Sequence, residues 1–357
     1  MLADLEVLVN TESPSLDLAL MSRSAEVLAC IMSERLGSAP QIIEGDAGPH
    51  VHWSGGGSPR VLVVGHHDTV FPAGTVAARP FSIVDGRATG PGVYDMKSGI
   101  VQAVHAVASL ADRSGIELLI TADEEVGSGS SRELIEGRAI ACGAVLVVEP
   151  SAEGGALKTG RKGTGTFEVV VHGRAAHAGL EPEKGVNALV AAAELIGSIA
   201  TLGDLDTGTT VTPTMASAGT AENVVPAEAR FKVDVRVVQP GEKERIEAAM
   251  AALVTSVPEA GIEVSGGITR PPMHESASAT LMPVAVQAAH DVGLQGLQGA
   301  AVGGGSDGNF TAAAGVATLD GLGGVGGGAH ADHEFVLVDT LVPRAQLMAA
   351  LLARLTA

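Results

Sequence analysis

The stretch Val63-Val64-Gly65-His66-His67-Asp68-Thr69-Val70, VVGHHDTV, decides how the chain is read. Residues 60–65, RVLVVG, are a short β-branched run that predicts a buried strand. It ends in two histidines and an aspartate, not in a plain turn. In a strand, residues i and i+2 share a face. His66 and Asp68 therefore point one way and His67 the other. His66 is a candidate metal ligand, and Asp68 is placed to accept its second ring N–H and fix the tautomer.

Other strands end in the same manner. IELLIT (116–121) is a buried strand followed by Glu124 and Glu125 in TADEEVGSG. GAVLVVE (143–149) is another, ending at Glu149. Asp95, in GPGVYDMKSG, stands just before a predicted helix over 97–112. Strands apolar on both faces, alternating with helices such as the one predicted over 17–36, imply a mainly parallel sheet covered on both sides. Open α/β sheets hold ligands at the carboxyl ends of their strands. Carboxylates crowded at such an edge would repel one another, and one or two divalent cations resolve the conflict. Adjacent Glu124 and Glu125 cannot easily aim at one atom, so a division into ligand and general base is expected. Far downstream, GGGAHADHEFV offers His330 and His333 beside Glu334.

The middle of the chain has a different rhythm. EARFKVDVRVV (228–238) alternates Phe231, Val233, Val235 and Val237 with Lys232, Asp234 and Arg236, the period of a half-exposed sheet. Flanking strands are predicted over 165–173, 209–219 and 261–266, and helices over 185–202 and 242–257. The order β-α-β-β-α-β is that of a ferredoxin-like split βαβ sandwich. Helices over 278–293 and 339–355 and a strand over 315–324 then resume the α/β pattern. The expectation is a discontinuous catalytic domain, 1–161 and 270–357, with 162–269 inserted.

The bulk numbers narrow the function. With 357 residues and 46% hydrophobic content but only 2% aromatic, the core must be built from Ala, Val, Leu and Ile. A formal net charge of -19 argues against nucleic acid or an anionic membrane as partner. Two cysteines, Cys30 and Cys142, make no framework. No basic segment leads into an apolar run at the start, so the simple expectation is a reduced, cytoplasmic chain without a membrane span.

Taken in order, GHHDTV, GPGVYDMKSG, TADEEVGS, VVEP, GRKGTGTFEVVVHGRAAHAG and GAHADHEFV resemble the M20 family of cocatalytic zinc metallopeptidases and amidohydrolases. HDTVFPAGT and GGGSDGNF are most similar to its glutamate carboxypeptidase, carboxypeptidase G2-like, branch. The resemblance implies a zinc-hydrolase domain carrying an inserted dimerisation and lid domain. It implies that His66 and Glu149 bind one zinc, Glu125 and His330 the other, and that Asp95 bridges both. It further implies Glu124 as general base, Asp68 as the residue orienting His66, and a cis peptide after Asp95. His177 matches a histidine that reaches the partner subunit's active site in a homodimer; Asn223 and Arg270 match positions that hold a substrate carboxylate. Two Zn2+ per subunit are implied, and such donors also accept Co2+ or Mn2+. The expected substrate is an amide or peptide with a free carboxylate. A deacylase of the acetylornithine or succinyl-diaminopimelate type and a short-peptide aminopeptidase remain alternatives, as does a silent binding protein on the same fold. His50, His52, His105, His172, His274 and His290 are expected to be structural or superficial.

Overall fold

The computed structural model describes residues 1–357. They form two compact units: Met1–Arg161, Met273–Val302 and Ser306–Ala357 in the first, Lys162–Pro272 with Gly303–Gly305 in the second.

The first unit is organised by a six-stranded sheet. Its order is Gln41–Ile43, His50–Ser54, Ile116–Thr121, Val61–His66, Ala144–Val147 and Ala317–Leu319. The last four strands run parallel to their neighbours; the first two attach antiparallel. All six residues of both Val61–His66 and Ile116–Thr121 are buried. Alternate side chains explain why. Val61, Val63, Ile116, Leu118, Ile120 and Leu146 join one apolar cluster, which includes helix residues such as Leu28, Val104 and Leu347. Leu62, Val64, Leu119, Val145 and Val147 join another, capped by Ile135, Ala139 and Cys142. A sheet wet on neither face must read as a continuous apolar run.

Local chemistry sets the helix limits. Asp17 caps Leu18–Leu36 by accepting from Leu20 N at 3.1 Å, and Gly37 closes it at φ 76. The helix expected to reach residue 112 is confined to Ser98–Ala108. There Arg113 folds back and donates to the Ala108 carbonyl at 2.7 Å, satisfying a helix-end acceptor. The helix expected over 242–257 stops likewise at Ala251.

The second unit follows the order β-α-β-β-α-β: Gly163–His172, Ala188–Ala200, Thr210–Ala218, Glu228–Val237, Glu242–Ala251 and Gly261–Arg270. Its four-stranded sheet is antiparallel throughout. Phe231, Val233, Val235 and Val237 are buried with Ala188, Leu195 and Ile246, on the face covered by the two helices. The last strand runs to Arg270, beyond the expected residue 266, because Gly266, at φ 86, and Gly267 let it continue alongside Gly163–His172. No helix in the structure is long and apolar enough to cross a membrane.

Candidate metal centre and active site

The site lies where strands of the first unit end. His66 is the last residue of its strand and pairs in register with Thr121, so the turn after Thr121 begins beside it. That turn is a single 3-10 turn, Glu124–Val126. Glu149 follows the neighbouring strand by two residues. Its backbone is gripped closely: a Cβ on Gly99 or on Gly323 would fall on the Val148 carbonyl oxygen, so both positions require glycine. Asp95 lies in the segment leading into Ser98–Ala108, and the Asp95–Met96 peptide is cis. His330 sits in the turn between Gly326–Gly327 and Phe335–Leu337, with φ 64.

These elements bring five side chains together. His66 Nε2 is 3.4 Å from Asp95 Oδ1 and 3.6 Å from Glu149 Oε1. His330 Nε2 is 3.4 Å from Asp95 Oδ2 and 3.1 Å from Glu125 Oε2. Asp95 thus faces one histidine with each of its oxygens. Metal–nitrogen and metal–oxygen bonds of about 2.0–2.1 Å in a tetrahedron put neighbouring donors about 3.3 Å apart, and the four distances bracket that value. Donor atoms of His66, Asp95 and Glu125 lie within 4.8 Å of one another, as do those of His66, Glu124 and Glu149. Asp95 Oδ1 and Glu125 Oε1 are buried and accept no hydrogen bond. Buried carboxylate oxygens are normally satisfied, so this donor set fits divalent cations.

The electrostatics say the same. Asp95 and Glu125 drive the His330 imidazole up to about 10, against partial burial. Burial opposes a charged His66, yet Asp68, Asp95 and Glu149 raise it well above its ordinary value. Burial would also raise Asp95, but His330 and His66 hold it well below the usual carboxylate range. Burial leaves Glu125 raised. The cluster demands positive charge, which protons or cations can supply.

A surrounding layer aims these groups. His66 Nδ1 lies 3.0 Å from the Asp68 main-chain oxygen and 3.4 Å from its carboxylate, which leaves Nε2 for the cluster. The Asp68 carboxylate accepts from Glu124 N and Glu125 N, each at 3.2 Å, and from Ser15 Oγ at 2.8 Å. One buried residue therefore fixes the His66 ring, chiefly through its main-chain oxygen, and the Glu124–Glu125 turn through its carboxylate. His67 turns to the other side, between Ser24 Oγ at 2.9 Å and the Pro49 carbonyl at 3.0 Å. His50 meets Ala122 N, and His105 meets Asp4; both are structural contacts. His333 is exposed.

Several residues were missed as site components in the sequence. Glu334, wholly buried, accepts from Gly92 N, Tyr94 N and Asp95 N at 2.9, 2.9 and 2.8 Å, and so holds the loop carrying Asp95. Burial pushes its carboxyl up to about 7, against those three amides. Its available signal was an acid opening an apolar strand, Glu334-Phe335-Val336. Arg161 and Asp320, buried beside Glu149, carried no local signal. In GGGSDGNF, Asn309 Oδ1 accepts from Ser306 N at 2.9 Å, and Ser306 to Asn309 are all buried, a packed turn.

The remaining candidates belong to the second unit. His177 is exposed, and its Nδ1 accepts from Gly179 N at 3.1 Å and Leu180 N at 3.2 Å, which puts the ring proton on Nε2. Asn223 lies beside it, its carbonyl accepting from Ala178 N at 2.9 Å. Arg270 is buried and pairs in register with Thr164, whereas His172, which leads toward His177, closes the other end of that strand. Eight residues at about 3.4 Å each separate Thr164 from His172 by roughly 27 Å. One copy of this unit therefore keeps Arg270 away from the His177–Asn223 pair.

The chain matches Peptidase family M20/M25/M40 over residues 62–354 and belongs to that family of metal-dependent hydrolases. It is accordingly a peptidase or amidohydrolase. Carboxypeptidase G2 of Pseudomonas sp. (strain RS-16) is 33% identical over 310 residues, covering 83% of this chain and 74% of that protein. Succinyl-diaminopimelate desuccinylase of Rhodospirillum centenum is 35% identical over 214 residues, which is 53% of this chain and 55% of that enzyme. Among solved structures, an M20 family metallo-carboxypeptidase from Sulfolobus solfataricus superposes with a TM-score of 0.80 at 17% identity, covering 98% of each chain; it attests the fold.

Proposed function

We propose that the chain is a dinuclear zinc hydrolase of the carboxypeptidase G2 type, cleaving an amide or peptide bond next to a free carboxylate. The observation that carries this reading is the convergence of His66, Asp95, Glu125, Glu149 and His330 around two buried carboxylate oxygens with no hydrogen-bond donor. His66 and Glu149 would hold one ion, Glu125 and His330 the other, and Asp95 would bridge them. Bound there, a pair of divalent cations polarises a carbonyl and brings the pKa of a water toward about 7. Nitrogen and oxygen donors suit Zn2+, with Co2+ or Mn2+ as substitutes.

The side chains of the protein supply the rest. Glu124, held by the Asp68 carboxylate through its own N–H, takes the proton of the attacking water and returns it to the leaving nitrogen. His177 presents Nε2–H, a donor suited to a developing oxyanion. Arg270 offers a planar fork to a carboxylate, with Asn223 as a second polar contact. Because His177 lies at the far end of its sheet from Arg270, a homodimer in which each subunit lends His177 to the other accommodates both roles.

A deacylase for N-acyl amino acids is the second reading, favoured by the identity to the desuccinylase and ranked lower because that match spans about half of each chain. The test is a hydrolysis panel after metal analysis: folate-type and N-acyl glutamates, N-acetylornithine, succinyl-diaminopimelate and tripeptides. Preferred cleavage of the glutamate amides supports the carboxypeptidase reading. Preferred cleavage of the acylated diamino acids replaces it with the deacylase, and no metal uptake removes both.

A further inference from the structure

Glu149 differs from the other acids of the cluster in what stands behind it. Its Oε1 faces His66, while its Oε2 lies 3.2 Å from an Arg161 guanidinium nitrogen and 3.8 Å from Lys158 Nζ. Arg161 is 5% exposed, and wholly buried Asp320 anchors it: Nε donates to Asp320 Oδ2 at 2.7 Å and a terminal nitrogen reaches Oδ1 at 3.2 Å. Asp320 is fixed in turn by the Ser306 hydroxyl at 2.6 Å. A buried cation is costly unless paired, and here one guanidinium is shared between a dedicated partner and a carboxylate of the metal centre. Glu125 has no equivalent: its Oε2 faces His330 at 3.1 Å and its Oε1 accepts nothing.

The geometry points to Arg161 as a positioning residue that holds Glu149 as a one-oxygen ligand and makes the two metal subsites unequal. The Asp320–Arg161 pair locks Oε2, so only Oε1 is turned to the His66 side. The subsite of His66 and Glu149 therefore depends on an adjoining buried pair, and the subsite of Glu125 and His330 does not. This inference rests on the metal reading above.

The experiment titrates the metal-free protein with Co2+, following the visible bands of the ion and the bound stoichiometry by native mass spectrometry. Arg161→Met alone leaves Asp320 unpaired and can fail to fold, so the decisive variant is Arg161→Met with Asp320→Asn, which keeps the net charge unchanged. Two binding steps are expected in the native chain. In the double variant one step weakens by about 10- to 100-fold, the usual effect of removing a partner that orients a ligand, and the other stays within about twofold. Arg161→Lys keeps the charge but loses the fork, and weakens the same step. Equal changes in both steps, no change, or a tighter step in the double variant would overturn the role of Arg161 while leaving the metal reading intact. A native chain that binds no Co2+ would remove the metal reading itself.

Discussion

Glu334 offers the sharpest test of how the Asp95 loop is held. Its Oε1 accepts from Tyr94 N and Asp95 N, its Oε2 from Gly92 N. Glu334→Gln retains one carbonyl oxygen, which can keep the Tyr94 and Asp95 amides. The new NH2 then meets the Gly92 N–H, donor against donor. One buried N–H left unsatisfied costs about 1–3 kcal/mol, so this variant should lose about 2. Glu334→Ala orphans all three amides; water entering the vacated space offsets part of the sum, leaving about 3–5 kcal/mol. Both variants and the native protein should be compared after chelator treatment, so that ion binding does not inflate stability. Urea unfolding gives the loss, and amide exchange at Gly92, Tyr94 and Asp95 shows whether it is local. Equal losses for Gln and Ala, or losses under about 1 kcal/mol with unchanged exchange, would refute the reasoning, since Ala orphans two more donors than Gln does and also vacates the buried space.

Other outcomes follow from the same geometry. Glu124→Gln should lower kcat by about 10²–10⁴ while Co2+ uptake stays at the native stoichiometry; retained turnover would take Glu124 out of the proton-transfer role. His177→Ala should be nearly inactive alone, and mixing it one to one with Glu124→Gln should restore about a quarter of native activity if the histidine serves the partner's site in a C2 dimer; no recovery after subunit exchange would place its action within one chain. Arg35 holds the Asp4 carboxyl down to about 2. The depressed value means that this contribution to stability is full above the ordinary carboxylate range and is lost as pH falls through about 2. Asp4→Asn should flatten that acid limb of the pH–stability curve, and an unaltered limb would argue against it.

Much of this architecture is written locally in the chain. The runs Val61–His66 and Ile116–Thr121 are apolar on both faces because each face meets a separate cluster, so continuous hydrophobicity sufficed to mark them. The period of two over 228–238 likewise reports one buried and one solvated face. What escaped was either too short or too dependent on distant partners. Strands Ser82–Val84 and Arg87–Thr89 have three residues each, fewer than a period can reveal. Helices Leu2–Asn10 and Arg132–Cys142 also went unassigned; the latter buries only Ile135, Ala139 and Cys142, a sparse stripe. Glu334 takes its meaning from Tyr94, 240 residues upstream, and no window of sequence contains both.

The chain places acids throughout the neighbourhood of the site, and hydrogen-bond supply separates their roles. Asp68 receives two backbone amides and a hydroxyl, Glu334 three amides, Asp320 a guanidinium and a hydroxyl. Each has its oxygens engaged by donors of the protein itself, although burial still lifts the Glu334 carboxyl to about 7, and such a group serves as scaffold. Asp95 Oδ1, Glu125 Oε1 and Asp123 Oδ1 are buried and accept no hydrogen bond, although the Asp95 oxygen faces the His66 ring at 3.4 Å; a buried acceptor left without a hydrogen bond costs about 1–3 kcal/mol unless something else pairs with it. Glu149 stands between the two groups, one oxygen toward His66 and the other toward Arg161. Composition could count the acids, and spacing could set several of them at strand ends. Which of them keep an oxygen without a hydrogen bond depends on donors from elsewhere in the sequence, so the distinction becomes legible only when the chain is folded.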